Sequence, residues 1–253
     1  MDLMDKQKDF HDKLYADGTR AHFLVNDPLV DYVTHWRLRE AFRRLAAAAA
    51  RRITENSRIL VLCAGEGAEG SVLCDMGYRD VTISDISEGG VAAALARDPR
   101  LKGLVLNALN PAVEDNAFEV VLIQDGLHHL PSPVQGFTEM LRIASVGVVF
   151  LEPHDSLVGR LAGTRWEKND EAINYVFRWS RKLVQDVACS YIGAESFRNL
   201  SFSFWHHNIK YHRLGVRLGG GAGSISLIRA LKFTLDNLLG RYGNQFCGLI
   251  LKP

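Results

Sequence analysis

Little in this sequence is in excess. Its 253 residues contain four cysteines (Cys63, Cys74, Cys189 and Cys247), widely spread and without a C-x-x-C pair. That excludes a disulfide scaffold or a short-spaced zinc or dithiol site, and reads as buried thiols in a reducing compartment. Nor is one sign of charge dominant. Thirty Lys plus Arg against 29 Asp plus Glu leave a formal charge of +1, too weak a field to favour a polyanion, so nucleic acid is not an expected partner. No apolar run reaches the length that spans a bilayer, and the charged start MDLMDKQKDFHDKLYADG lacks the apolar centre of a secretory leader. A cytoplasmic protein with no membrane partner is expected, and a homodimer is left open. The remaining balance, 47% hydrophobic and 23% charged, suits one catalytic domain with additions.

Along the chain, apolar residues recur at helical spacing from Asp27–Pro28, a helix start, to about Arg52. The run from Arg58 then stops at a glycine-rich turn, as a buried strand feeding a helix does. Strands at 81–84, 104–106, 118–124 and 146–153 alternate with helices at 71–76, 90–97 and 134–143. This rhythm predicts an α/β fold with a doubly wound, mostly parallel sheet. Residues 1–57 read as an N-terminal helical segment and 58–253 as the catalytic domain. After Pro153 the rhythm breaks. Residues 155–178 read as an irregular insertion, 179–191 as a helix, 200–205 as a strand and 224–239 as an amphipathic helix before a last strand from Phe246. The excursions at 155–178 and 206–240 are expected to form a lid that recognises the substrate, since loops on a rigid core carry most specificity.

The turn Gly65-Glu66-Gly67-Ala68-Glu69-Gly70 fits G-x-G-x-x-G, where absent side chains let a ligand meet the backbone and the helix amides behind it. Twenty residues on, Asp85 ends a strand at the position where an acid bonds ribose hydroxyls. Turn and acid together point to a nucleoside cofactor and do not separate NAD from S-adenosylmethionine.

The segments VLCAGEGAEG (61–70), TISDIS (82–87), LNAL (106–109), FEVVLIQDGLHHLPSP (118–133) and EMLRI with VVFLEP (139–153) resemble the class I S-adenosylmethionine-dependent methyltransferases, in the small-molecule branch whose fourth strand leads into His-His-Leu. The resemblance implies a Rossmann-like seven-stranded sheet with only the last strand antiparallel, S-adenosylmethionine as cofactor, and a small-molecule methyl acceptor. It implies further that Gly65 and Gly67, with Ala64 and Glu66, line the methionine end, and that Asp85 takes the ribose. Ile86, Asn107 and Ala108 would contact the adenine, and Gln124, Asp125 and Gly126 would border the methyl channel. This chain departs from the family at Cys63, where an acid is usual, at Glu69, where a turn glycine is usual, and at Asn107, where an acid is usual.

On the acceptor side, His128 or His129 would serve as base; two adjacent side chains of a regular segment cannot both enter one pocket, and the sequence does not choose. His154 and Asp155 leave the fifth strand beside the same crevice, as a further base or a grip on the acceptor. Trp205 and His206 end the sixth strand as acceptor contacts. No ligand spacing among the histidines is diagnostic, so no metal is expected. The stretch Phe10–Tyr15 would fold over the cofactor. The leading expectation is O-methylation of a sugar or natural-product hydroxyl. Alternatives are N- or C-methylation of a small metabolite, a catalytically silent binding protein, and an NAD-dependent oxidoreductase.

Overall fold

The computed structural model describes residues 3–16, 28–193 and 196–253; Asp27, read as a helix start, lies outside them. Two helices come first, α1 (Leu3–Ala16) and α2 (Pro28–Ala48). Helix α2 stops four residues short of the expected Arg52, because the chain turns through left-handed Ala50 and Arg51 to reach the sheet. The alternating core follows: β1 (Arg58–Leu62), α3 (Ala68–Asp75), β2 (Asp80–Asp85), α4 (Glu88–Arg97), β3 (Lys102–Val105), β4 (Phe118–Gln124), α5 (Pro133–Ile143) and β5 (Ala144–Pro153). Helix α4 is capped by the Ser87 hydroxyl, which accepts the Gly90 amide at 3.1 Å. Helix α5 opens with Pro133 after Ser132, where a missing N–H costs nothing.

Residues 155–178 are more regular than expected. They form α6 (Leu157–Ala162) and an antiparallel hairpin, β6 (Trp166–Asn169) with β7 (Ala172–Tyr175), closed by an edge contact between Trp166 and Tyr175. After α7 (Arg181–Ile192) come β8 (Arg198–Asn199), β9 (Phe202–Phe204), α8 (Asn208–Arg217), α9 (Gly221–Leu239) and β10 (Gln245–Leu251). The order across the main sheet is β3-β2-β1-β4-β5-β10-β8, with β9 also on β10. Among the described strands of this sheet, only β10 runs against the rest. The outermost position is shared by β8 and β9 because Leu200 and Ser201 leave the ladder. The Leu200 amide still donates to the Leu249 carbonyl (2.8 Å), and the Ser201 hydroxyl accepts the Leu249 amide (3.0 Å).

Strand alternation divides the core. Ile59, Val61, Val120, Leu122 and Val149 face Leu38, Phe42 and Leu45 of α2, whereas Leu60, Leu62, Val121, Ile123 and Val148 face α5 and α7. With both faces covered, the central strands are apolar throughout, which is why they read as continuous runs. Each such side chain contributes about 1.5–3 kcal/mol by burial. The packing holds the carboxyl ends of β1, β2 and β4 level, and the turns that leave those ends build the site.

Candidate active site

A cavity of about 360 Å³ opens at those strand ends, within the size range of small-molecule sites. Its floor is the β1–α3 turn. Gly65 and Gly67 both have positive φ, 50° and 75°, which glycine adopts without strain. A Cβ on Gly65 would lie 2.3 Å from the Tyr15 hydroxyl, and one on Gly67 would lie 2.8 Å from the Ala94 Cβ. Gly65 therefore faces the cavity beneath α1, and Gly67 serves helix packing and is not part of the wall. Asp85 is buried at the end of β2. It accepts the Gly65 amide through Oδ2 (2.8 Å) and the Ser87 amide through Oδ1 (3.0 Å), so it ties strand to turn while still lining the cavity.

Helix α1 forms the roof with Met4, Gln7, His11 and Tyr15, one face at spacings of three and four. Gln7 is 3% exposed, yet among the described residues neither polar atom of its amide has a partner; the Oε1 of Gln124, on the opposite wall, likewise has none there. Buried polar atoms without partners cost about 1–3 kcal/mol each, and here both residues line one cavity. Sequence reasoning placed Phe10–Tyr15 over the cofactor but did not single out Gln7, whose type carries no signal until burial is known.

Helix α2 supplies Thr34, His35 and Arg37. Arg37 is buried, grips both oxygens of Asp125 and donates to the Gln245 Oε1 at 3.1 Å. Asp125 and Cys63, which directly follow β4 and β1, have left-handed φ of 51° and 53°, a strained state for non-glycine residues that tends to gather at functional sites. Where the family has an acid, Cys63 packs on Gly126: a Cβ there would come within 2.7 Å of its own Cβ. Burial pushes the Cys63 thiol up, so it stays protonated. Glu69 accepts the Gln124 amide at 2.9 Å, and desolvation raises its carboxyl to about 7. Ile86, Leu106, Ala108 and Leu130 complete an apolar end.

The adjacent histidines part company. His128 turns inward, away from the cavity, and its Nδ1 lies 2.5 Å from Oε2 of fully buried Glu152; its Nε2 is 3.5 Å from Glu167 of the hairpin. Burial opposes the charged ring, but the two carboxylates win and raise it to about 11, so it is an imidazolium. The other Glu152 oxygen accepts the Leu127 amide at 2.7 Å. His129 lines the cavity, with the Asn174 amide 3.4 Å from its Nδ1. Burial and the neighbouring His128 charge lower it to about 4, so it is neutral. His128, His129 and Glu167 present ligand atoms within 4.8 Å of one another and could hold a metal ion. The His128 proton, between two carboxylates, offsets one of their two negative charges.

Several expected site residues lie elsewhere. Asn107 is exposed and its Oδ1 accepts the Leu109 amide (2.9 Å), an Asx turn that leaves it off the cavity wall. His154 donates through Nδ1 to the Gly243 carbonyl (2.7 Å) and stacks on Phe246, while Asp155 pairs with Arg160. Trp205 donates to the Leu239 carbonyl (2.9 Å), and buried His206 stacks on Trp36. None of these four lines the cavity, and neither does any described residue of 155–178 or 206–240. Roof and wall come from α1 and α2, although Glu167 and Asn174 reach the histidine pair from behind.

Residues 60–151 match the methyltransferase domain family, and the sheet order is that of a Rossmann-like, mostly parallel sheet with one reversed strand. The chain is 34% identical over 143 residues to a demethylmenaquinone methyltransferase of Beutenbergia cavernae, covering 55% of this chain and 56% of the relative. It is 32% identical over 107 residues to a demethylmenaquinone methyltransferase of Clavibacter sepedonicus, covering 41% and 43%. It thus matches about half the length of these curated relatives. In fold it is similar to magnesium protoporphyrin IX methyltransferase of Synechocystis PCC 6803 with bound SAH, at 12% identity and a TM-score of 0.58 over 99% of this chain and 100% of that one.

Proposed function

We propose that the chain is a methyltransferase that takes S-adenosylmethionine in this cavity and methylates a small molecule, with a sugar or natural-product hydroxyl as the acceptor. The observation that carries the reading is the pairing of a glycine turn beneath Asp85 with unsatisfied Gln7 and Gln124, a wall whose polar atoms await a ligand. Asp85 would take the ribose, Ile86, Leu106 and Ala108 the adenine, and Arg37 and Glu69 the charged methionine end. The cofactor supplies an activated methyl on a sulfonium. The protein's task is alignment and exclusion of water, which can supply most of the rate.

His129 is the neutral imidazole at the acceptor end and would receive the hydroxyl proton. Its low basicity makes it a weak base, so its share falls at the lower end of general-base effects, about 10²-fold. A ring carbon of a quinol-type acceptor is the second reading, favoured by the names of the two curated relatives. Calorimetric titration with S-adenosylmethionine, S-adenosylhomocysteine and NAD tests the cofactor. Transfer of labelled methyl to hydroxylated sugars, natural products and a demethylated quinol, followed by mass analysis, tests the acceptor. Binding of NAD alone would refute the reading.

A further inference from the structure

The 206–240 excursion does not close the cavity. Helices α8 and α9 pack together on the outer side of α2, where Ser224, Ile228 and Lys232 of α9 are buried. A different face of α9 is apolar and uncovered: Leu227, Leu231 and Leu238, at spacings of four and seven, are 58%, 41% and 74% exposed. On α8, Ile209 and Val216 are likewise exposed. A hairpin that merely filled a gap would place polar residues here.

Charge gives the occupant its chemistry. Residues 208–241 hold six Lys or Arg against one acid, in a chain whose formal charge is +1. Lys210, Arg213, Arg217, Arg229 and Arg241 are exposed. Lys232 is buried, and the single acid, Asp236, accepts the Trp205 amide at 2.8 Å and lies 3.8 Å from Lys232. Exposed leucines and cations with no exposed acid among them are the composition of a helix that lies on an anionic bilayer, its leucines in the acyl boundary and its cations on headgroups. Among the described residues no helix is long and apolar enough to cross a membrane, so the contact is peripheral. From this combination of exposed apolar surface and positive charge in one helical pair, we infer that α8 and α9 dock this protein onto an anionic lipid surface.

The inference does not rest on the methyltransferase reading; vesicle binding needs no cofactor, and cofactor titration needs no vesicle. The experiment is flotation of the full chain with vesicles of phosphatidylcholine and phosphatidylglycerol in equal parts, against phosphatidylcholine alone. The protein should float with the mixed vesicles only, and less so as salt rises. Each basic residue near the surface is worth about 1 kcal/mol, so reversing two with Arg213→Glu and Arg217→Glu should cut retention at least tenfold. Leu227→Gln with Leu231→Gln and Leu238→Gln should do the same with melting unchanged, since these side chains point outward; Lys182→Glu on α7 should do nothing. The inference is overturned if retention ignores the anionic lipid, if the leucine triple variant floats like the parent, or if that variant splits a dimer that vesicles never bind, which would assign the face to a second copy of the chain.

Discussion

Two regions rich in histidine and aromatic rings are each built round a buried cation, and they hold it in opposite ways. At the end of β4, His128 sits between Glu152 and Glu167, and its basicity is raised to about 11. Beside His206, Lys232 lies 3.9 Å from the Trp36 ring and 4.9 Å from Tyr211 and donates to the Trp205 carbonyl (2.5 Å), and burial lowers it to about 8. Two carboxylates, one of them in hydrogen-bond contact, compensate the lost hydration of His128; rings, one carbonyl and the more distant Asp236 carboxylate, 3.8 Å away, do so less completely for Lys232. The first region also presents His129 to the cavity, whereas the second turns His206 into packing. Proximity of histidines in sequence thus says little about chemistry until their neighbours are known.

The comparison breaks most readily at Glu152. Glu152→Ala strands a buried imidazolium and should destabilise the fold by about 3–5 kcal/mol, read as a lower urea midpoint; an unchanged midpoint would mean the pair is not load-sharing. Next in size, His129→Ala should lower turnover about 10²-fold with cofactor affinity held, while His206→Ala, away from the cavity, should leave turnover alone and lower stability. Equal turnover losses in both would erase the distinction drawn between the two regions.

Asp85→Ala removes a carboxylate bonded to the turn and proposed for the ribose. Charged hydrogen bonds are worth about 1.5–3 kcal/mol, so affinity for S-adenosylhomocysteine should fall roughly tenfold or more by calorimetry. An unaltered affinity would restrict Asp85 to holding the turn.

The smallest effect concerns pH and has a sign for each region. His128 gains basicity on folding, so its contribution is complete below about pH 6.5 and is lost as pH rises towards 11. Lys232 loses basicity, so the unfolded chain holds more protons between about 8 and 10.5, and stability rises with pH in that window. Each slope approaches at most about 1.4 kcal/mol per pH unit, and in the parent they oppose one another. Urea melts from pH 8 to 10 should therefore slope downward in Lys232→Met and upward in His128→Gln. Parallel curves for the two variants would refute the opposed assignments.

Much of the fold was legible beforehand. The continuous apolar runs 58–62, 118–124 and 146–153 could only be strands covered on both faces, and the glycine turn with Asp85 twenty residues later could be read because backbone conformation and strand spacing are local properties. Less was legible after Pro153. The hairpin at 166–175 and helix α8 were missed, because their stability comes from partners such as the Trp166–Tyr175 edge contact and the α2 surface. His154, Trp205 and His206 were expected at the site for their residue type and lie off it, each occupied by packing or backbone partners.

By itself, then, the sequence determined the alternating core, the mostly parallel fold class and the turn that floors the cavity, since periodicity, glycine placement and short spacings act within a few residues. Tertiary structure alone decided that α1 and α2 enclose the cavity and that Gln7 and Arg37 belong to it. It also decided that His129 faces the site while His128 is locked to Glu152, 24 residues away. Burial and long-range charge set those outcomes, and both depend on which surfaces the folded chain brings together.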